Sequence, residues 1–343
     1  MPRTRPRGVV DRGAAAPTPA TVGGVKPVPD RATGRTRRLV IPADRAAGDV
    51  LVDGVAVHLT NLDKVFWPEL ALTKRDLLQY YADVAPWLLP HLIDRAMVMK
   101  RYPDGAAGKS FFMKRAPTPR PAWIKTCRIT HGSGNVIDFP MVQDTAALLW
   151  IVNLGCIDLN PWYARCDDVD RPDYLHFDLD PVPGADFETV RTTALIVRDA
   201  LAALGMQPLV KTTGSRGIHV YVPIVRGPTQ KAVWTFAKRL AQVLALEHPA
   251  VVTAEYRIAK RPEGRVLVDY NQNAWGRTLA SIYSPRPRPR ATVSTAVTWH
   301  ELEAGVTIDD FCMANVPDRL AAIGDLWAPL LAVGDRFELG PLL

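Results

Sequence analysis

Hydrophobic and polar positions alternate with a period of two along Val50-Leu51-Val52-Asp53-Gly54-Val55-Ala56-Val57-His58-Leu59. The Asp-Gly pair between two β-branched runs predicts a hairpin with a tight turn, so folding is expected to begin near residue 39. After Thr73 the period lengthens: Leu77, Leu78, Tyr80, Tyr81 and Val84 recur at helical spacing, with Thr73 placed to cap the helix and Pro86 and Pro90 expected to disturb or end it. Val136–Phe139 reads as a strand, and 145–154 as a mostly apolar, buried helix closed by Gly155. Residues 174–180 alternate as a strand. In 187–204 Val190, Ala194, Val197 and Leu201 mark an amphipathic helix that stops at Gly205. A short strand at 208–211, a glycine-rich turn, a strand at 218–224, a second amphipathic helix at 229–246 and a strand at 265–270 follow. Interleaved strands and helices predict a mixed α/β or α+β fold.

The chain has 343 residues, 48% of them hydrophobic and 22% charged, which excludes collagen-like, disulfide-scaffold and wholly disordered classes. The formal charge of +7 is concentrated in residues 1–38, where nine Lys/Arg face only Asp11 and Asp30. That stretch lacks periodicity and is rich in Pro, Gly and Ala, so a disordered basic tail is expected there, followed by one folded domain over 39–343 that is neutral overall. A basic tail can attract DNA phosphates or stay solvated. No stretch approaches the ~18 apolar residues of a membrane span, and the N-terminus lacks the apolar core of a secretory signal. A soluble intracellular protein is expected. Cys127, Cys156, Cys166 and Cys312 form no C-x-x-C pair and are expected to be reduced core residues.

Three segments carry candidate chemistry. In His176-Phe177-Asp178-Leu179-Asp180-Pro181 the strand period places His176, Asp178 and Asp180 on one face and Phe177 and Leu179 on the other. Paired carboxylates repel unless a cation lies between them, and their oxygens suit Mg²⁺ or Mn²⁺. Acids at an exposed strand end would read the same way. In Lys211-Thr212-Thr213-Gly214-Ser215-Arg216-Gly217-Ile218-His219 a tight turn joins two strands. Its glycines let backbone N–H groups converge on an anion, with Lys211, Ser215, Arg216 and His219 as further donors. It lacks Walker spacing, and an ordinary hairpin turn is the alternative. Finally, Val266-Leu267-Val268-Asp269-Tyr270-Asn271-Gln272-Asn273 ends an apolar strand in an acid that can complete a three-carboxylate cage or simply form a turn.

The runs HFDLDP, KTTGSRGIHVYVP and VLVDYNQNAWGRTLASIYSPRPRPR, in this order, resemble the polymerase domain of bacterial ligase D and its stand-alone relatives of the Prim-PolC type, in the archaeo-eukaryotic primase superfamily. The similarity covers roughly residues 50–330 and extends to LTNLDKVFWPE, MKRYPDG and SFFMKR. It implies an α+β, primase-like catalytic core whose β-sheets are flanked by helices. It also implies that Asp178, Asp180 and Asp269 are catalytic and hold two Mn²⁺ or Mg²⁺ ions, and that the incoming triphosphate lies against Ser215, Arg216, Gly217 and His219. Lys100, Phe111, Phe112 and Lys114 match positions near the nucleotide's base and sugar, and Gln272 and Arg286 match nucleotide or template-side positions. Without the family, Phe111 and Phe112 would read as core. Asn61, Lys64 and Lys74 match the pocket that grips a DNA 5′-phosphate. Two departures stand out: Arg216 replaces a usual lysine, and Asn160 replaces a usual histidine near the triphosphate, keeping hydrogen bonding without positive charge.

By this resemblance the chain is a bacterial DNA-repair primase-polymerase in the cytoplasm, associated with the nucleoid, acting as a monomer without a membrane. It adds NTPs or dNTPs to primers at short gaps or double-strand breaks. Because 343 residues leave no room for ligase and nuclease domains, a separate ATP-dependent DNA ligase and an end-bridging protein are expected partners. The competing readings are a D-x-D phosphatase of the haloacid-dehalogenase type, disfavoured by Pro181-Val182-Pro183 where a Gly-Thr loop belongs, and a catalytically silent DNA-end-binding module.

Overall fold

Strands β1 (Gly48–Val52) and β2 (Val55–Leu59) pair antiparallel with Val52 opposite Val55. Both turn residues, Asp53 and Gly54, take positive φ, as a two-residue type I′ turn requires. This computed structural model describes residues 38–343, so the expected disordered tail lies outside the described residues except for Arg38. Strands β3 (Val65–Trp67) and β4 (Leu72–Thr73) lead into helix α1 (Lys74–Leu92). Thr73 caps α1 through the Asp76 N–H, and the Asp76 carboxylate accepts from the Thr73 N–H at 2.6 Å. Pro86 and Pro90 do not end α1, which runs two residues past the second. Each removes a donor at a cost of about 3 kcal/mol. Leu77, Leu78, Tyr81, Val84, Leu88 and Leu92 are all fully buried, each contributing about 1.5–3 kcal/mol, which outweighs that loss.

Next come β5 (Met97–Arg101) and β6 (Phe111–Met113), the hairpin β7 (Thr126–Thr130)–β8 (Val136–Pro140), the buried helix α2 (Thr145–Asn153) and β9 (Cys156–Pro161). Three of these strands form a sheet in the order β6-β5-β9. The β7–β8 hairpin shares a small core of Val98, Cys127, Ile129, Phe139 and Trp162. Here the expectation of four reduced cysteines fails. Cys127 and Cys166 are joined in a disulfide across 39 residues, while Cys156 and Cys312 are free. Packing brings the hairpin onto the segment after β9, a proximity that cysteine spacing does not encode. Closing a loop of that length is worth about 2–4 kcal/mol. Reductant should lower the unfolding midpoint in urea accordingly, and unfolded, unreduced protein should show two reactive thiols. Four reactive thiols would mean that the bridge does not form.

The remaining strands are β10 (Tyr174–Pro181), β11 (Leu209–Thr212), β12 (Ile218–Pro223), β13 (Val252–Thr253), β14 (Val266–Asp269) and β15 (Ala296–Val297). They build one sheet in the order β13-β14-β10-β12-β11-β15, antiparallel except for β13–β14. Helix α3 (Phe187–Ala203) packs on β10 and β12, and α4 (Gln230–Glu247) on β10 and β13. Helices α5 (Trp299–Glu303) and α6 (Val316–Ile323) follow. The fold is the mixed α+β arrangement that the periodicities predict. No helix among the described residues is long and apolar enough to cross a membrane.

Candidate active site

Every residue of β10 from Tyr174 to Leu179 is buried, so Asp178 and its neighbours do not sit at an exposed strand end. Register then assembles the site. Asp178 lies directly opposite Asp269 on β14 and opposite His219 on β12, and His219 in turn faces Lys211 on β11. Directly opposed residues of an antiparallel pair share a face, which gives one polar row across four strands, with Asp180 one step further along β10.

The carboxylates disturb one another. Burial pushes Asp178 up to about 6, against the pull of Lys211, Arg286 and Arg216. The charge of Asp178, followed by burial, pushes Asp180 up to about 7. Asp269 is raised by burial and by Asp178, and is held back by two hydrogen bonds: its oxygens accept from the Asn271 N–H at 2.8 Å and the Gln272 amide at 2.9 Å. His219 Nε2 lies 3.1 Å from Asp178 Oδ1. Burial, then the charges of Lys211 and Arg286, pushes its pKa well down, which favours the neutral ring beside the carboxylate. Among the described residues, no three or more His, Cys, Asp or Glu form a ready-made metal-binding group.

The turn after β11 differs in detail from the expected anion cradle. The N–H groups of Ser215, Arg216 and Gly217 converge on the Thr213 hydroxyl oxygen, at 3.2, 3.3 and 3.1 Å. The turn thus satisfies its own donors and is preformed. Gly217 is required by close approach, because a Cβ there would lie 2.2 Å from the Leu179 carbonyl oxygen. Lys211 is not a donor to this turn: it is fully buried, and its Nζ bonds the Ala280 carbonyl at 3.0 Å and Ser294 Oγ at 2.5 Å. Arg216 is exposed beside the carboxylates, whose titration it pulls down.

Lys100, on β5, lies opposite Phe112 on β6 and Asp158 on β9. Phe111 and Phe112 are 46% and 60% exposed, so they are not core residues but open aromatic faces. Arg101 lies over the Phe111 ring and Lys100 over the Phe112 ring. Lys114, the residue after β6, is exposed. Asn160 is buried and donates to the Asp158 carbonyl at 3.1 Å. Pattern reading missed Asp158, a buried carboxylate pushed up by desolvation against the pull of Arg286 and Lys100. Its Oδ2 lies 3.4 Å from Arg286 Nε and 3.8 Å from Lys100 Nζ. Arg286 also donates to the Thr213 carbonyl at 3.0 Å, so one side chain ties the smaller sheet to the turn of the larger.

Asn61, Lys64 and Lys74 gather elsewhere, around β3 and the start of α1. The Lys74 N–H donates to the Lys64 carbonyl at 2.8 Å, and the Lys64 N–H to the Asn61 carbonyl at 3.1 Å. Lys74 is buried, with Nζ on the Thr60 carbonyl at 2.6 Å. Burial first, then the charges of Lys64 and Arg101, lowers it to about 8. Lys64 Nζ reaches the exposed Asp104 at 3.1 Å. Arg101 is a third cation here that sequence reading did not single out.

The family model described as LigD, primase-polymerase domain, matches residues 73–327. The multifunctional non-homologous end joining protein LigD of Mycolicibacterium smegmatis is 33% identical over 276 residues, which is 80% of this chain and 36% of that protein. The bifunctional non-homologous end joining protein LigD of Bacillus subtilis is 29% identical over 269 residues, 78% of this chain and 43% of that protein. The chain thus spans less than half the length of either relative. Among solved structures, the polymerase domain of Mycobacterium tuberculosis Ligase D in complex with DNA matches with a TM-score of 0.76 at 32% identity, over 81% of this chain and 98% of that one.

Proposed function

Since the chain belongs to the LigD primase-polymerase family, we propose that it extends primer 3′ ends at short gaps or double-strand breaks in DNA, using NTPs as well as dNTPs, by two-metal phosphoryl transfer. The observation that carries this reading is the row Asp269–Asp178–His219 with Asp180 beside it, three mutually repelling carboxylates packed into one polar face. Such a donor set, hard oxygens with excess negative charge, fits divalent Mn²⁺ or Mg²⁺ held by Asp178, Asp180 and Asp269. When bound, two such ions lower the pKa of the primer 3′-OH and stabilise the charge on the attacking and leaving oxygens.

The chain's own groups orient and neutralise. His219 fixes one oxygen of Asp178, and Gln272 with the Asn271 N–H fixes both oxygens of Asp269. Arg286 and Lys100, aligned by Asp158, and Arg216 with Ser215 on the preformed turn supply the positive and hydrogen-bonding groups for a triphosphate. Phe111 and Phe112 offer faces on which bases stack irrespective of identity, while base pairing carries sequence. Asn160 supplies an amide where a charged ring is usual, and Lys114 a solvated charge at the rim. An ATP-dependent DNA ligase activity and an end-bridging protein are the partners this reading calls for. The deciding experiment is primer extension on a short-gapped duplex with Mn²⁺, comparing NTPs with dNTPs. Binding without extension would leave only an end-binding module.

Lys64, Lys74 and Asn61 suit a terminal 5′-phosphate, because cations already forced together gain most from a dianion. Affinity and fill-in are expected to be about tenfold or more greater with a downstream 5′-phosphate than with a 5′-hydroxyl, from ~1.5–3 kcal/mol per charged contact. Lys64→Ala with Lys74→Ala should erase the difference and leave open primer-template extension intact. Lys74 is tuned to about 8, so the preference should also fade as pH rises through that value and its proton is lost. Equal handling of both ends at pH 7 and moderate salt would remove the pocket from the reading.

A further inference from the structure

The ladder between β10 and β14 stops at the site. Asp269 is the last residue of β14, and beyond it the chain leaves the sheet as a single 3₁₀ turn, Asn271–Asn273. Strand β10 continues past Asp178 to Tyr174, which would leave the His176 peptide groups on that side without a strand. The Asn273 side chain takes the strand's place. Its Oδ1 accepts from the His176 N–H at 3.1 Å, and its Nδ2 donates to the His176 carbonyl at 2.6 Å. A carboxamide thus reproduces the two-bond exchange of an antiparallel hydrogen-bonded pair. The same Nδ2 donates to the Tyr270 carbonyl at 3.1 Å, closing the turn, and the Asn273 carbonyl accepts from Tyr163 Oη at 2.5 Å. Asn273 is fully buried.

We propose that Asn273 is the positioning residue that sets the separation of Asp178 and Asp269. It stitches the turn carrying Asp269, Asn271 and Gln272 to β10 two residues before Asp178, and it touches neither substrate nor carboxylate itself. The inference rests on the phosphoryl-transfer reading above, because the separation matters only if the two acids share ions. The chemistry is restrictive. Aspartate keeps an acceptor for the His176 N–H but turns a second oxygen toward the His176 carbonyl, and alanine leaves both peptide groups unpaired in a dry place. Glutamine would add a methylene to a side chain that is already fully buried.

The test uses Asn273→Ala and the isosteric Asn273→Asp in the full chain, with three readouts. Amide hydrogen exchange should accelerate in 174–178 and 269–273 and stay unchanged in α3 and in β1–β2. Binding of Mn²⁺ alone, followed by electron paramagnetic resonance without DNA or nucleotide, should weaken about 10- to 100-fold, the usual effect of removing a group that orients a ligand. In primer extension kcat should fall by about the same factor, with the KM for nucleotide and the affinity for gapped DNA within about twofold of wild type. The proposal is overturned if Mn²⁺ binding and kcat of both folded variants match wild type. It is equally overturned if exchange rises uniformly across α3 and β1–β2, which marks a merely structural role. Wild-type protein that fails to extend any gapped primer would sink the polymerase reading instead, and the exchange and Mn²⁺ readouts, which need no turnover, would still judge Asn273.

Discussion

Asp178→Asn is expected to abolish nucleotide addition, lowering kcat on a gapped duplex by at least about a thousandfold, since charge stabilisation by bound ions is worth several kcal/mol in such transfers. Asp178 sits in the middle of the row, with Asp269 on one side and His219 on the other. Asparagine keeps the volume and the bond to His219 while removing the ligand. Affinity for gapped DNA, followed by fluorescence anisotropy, should stay nearly constant, because the buried Asp178 is assigned to metal rather than to the duplex. Substantial residual extension would remove the two-metal assignment.

The same charges oppose folding of the metal-free protein at neutral pH. Asp178 and Asp180 titrate near 6 and 7 in the fold, against about 3.8 for an unperturbed carboxyl. A raised carboxyl means that the folded state holds more protons than the unfolded chain between those limits, so these two groups contribute stability that is lost as pH rises from about 4 to about 7, while the depressed His176, His219 and Lys211 contribute in the opposite sense. With chelator present, Asp180→Asn should therefore be more stable than wild type at pH 8 by about 2–4 kcal/mol in urea unfolding, with the gain shrinking toward pH 4, at 1.36 kcal/mol for each tenfold change in proton affinity. Asp178→Asn should act in the same direction, and the two gains should not add, because the first removes much of what raises Asp180. Excess Mn²⁺ should stabilise wild type at pH 8 and have a much smaller effect on either variant. A gain from Asp180→Asn that is the same at pH 4 as at pH 8 would contradict the site's electrostatics.

Much of the candidate site is legible from local pattern, because its parts obey local rules. The Asp53-Gly54 turn, the Thr73 cap and the glycine that closes α2 follow from backbone preference and the supply of capping oxygens within three or four residues. Alternation in His176–Asp180 places the acids on one face, since the strand period depends on nothing distant. The order of the motifs carries the family. Other features mislead when read locally. Pro86 and Pro90 look like helix breakers, yet the helix continues, because its apolar face is buried in the core and the Tyr80 and Tyr81 hydroxyls bond the distant Tyr283 and Ile157 carbonyls. Lys211 looks like a phosphate donor until Ser294 and Ala280 claim it.

Sequence alone determined the β1–β2 hairpin, helices α1 to α4, strands β8, β10, β11, β12 and β14, which face of β10 is polar and which family the chain resembles, all of them consequences of short-range geometry and residue type. The tertiary structure decided the pairings. It set Asp178 opposite Asp269, placed Asp158 between Lys100 and Arg286, joined Cys127 to Cys166, and brought Asn273 to His176 across 97 residues of chain. The physical reason is that periodicity says which way a side chain points and not what it will meet. Register is settled by the whole sheet's hydrogen bonding and burial together, and a buried polar group must take whatever partner that register brings within reach.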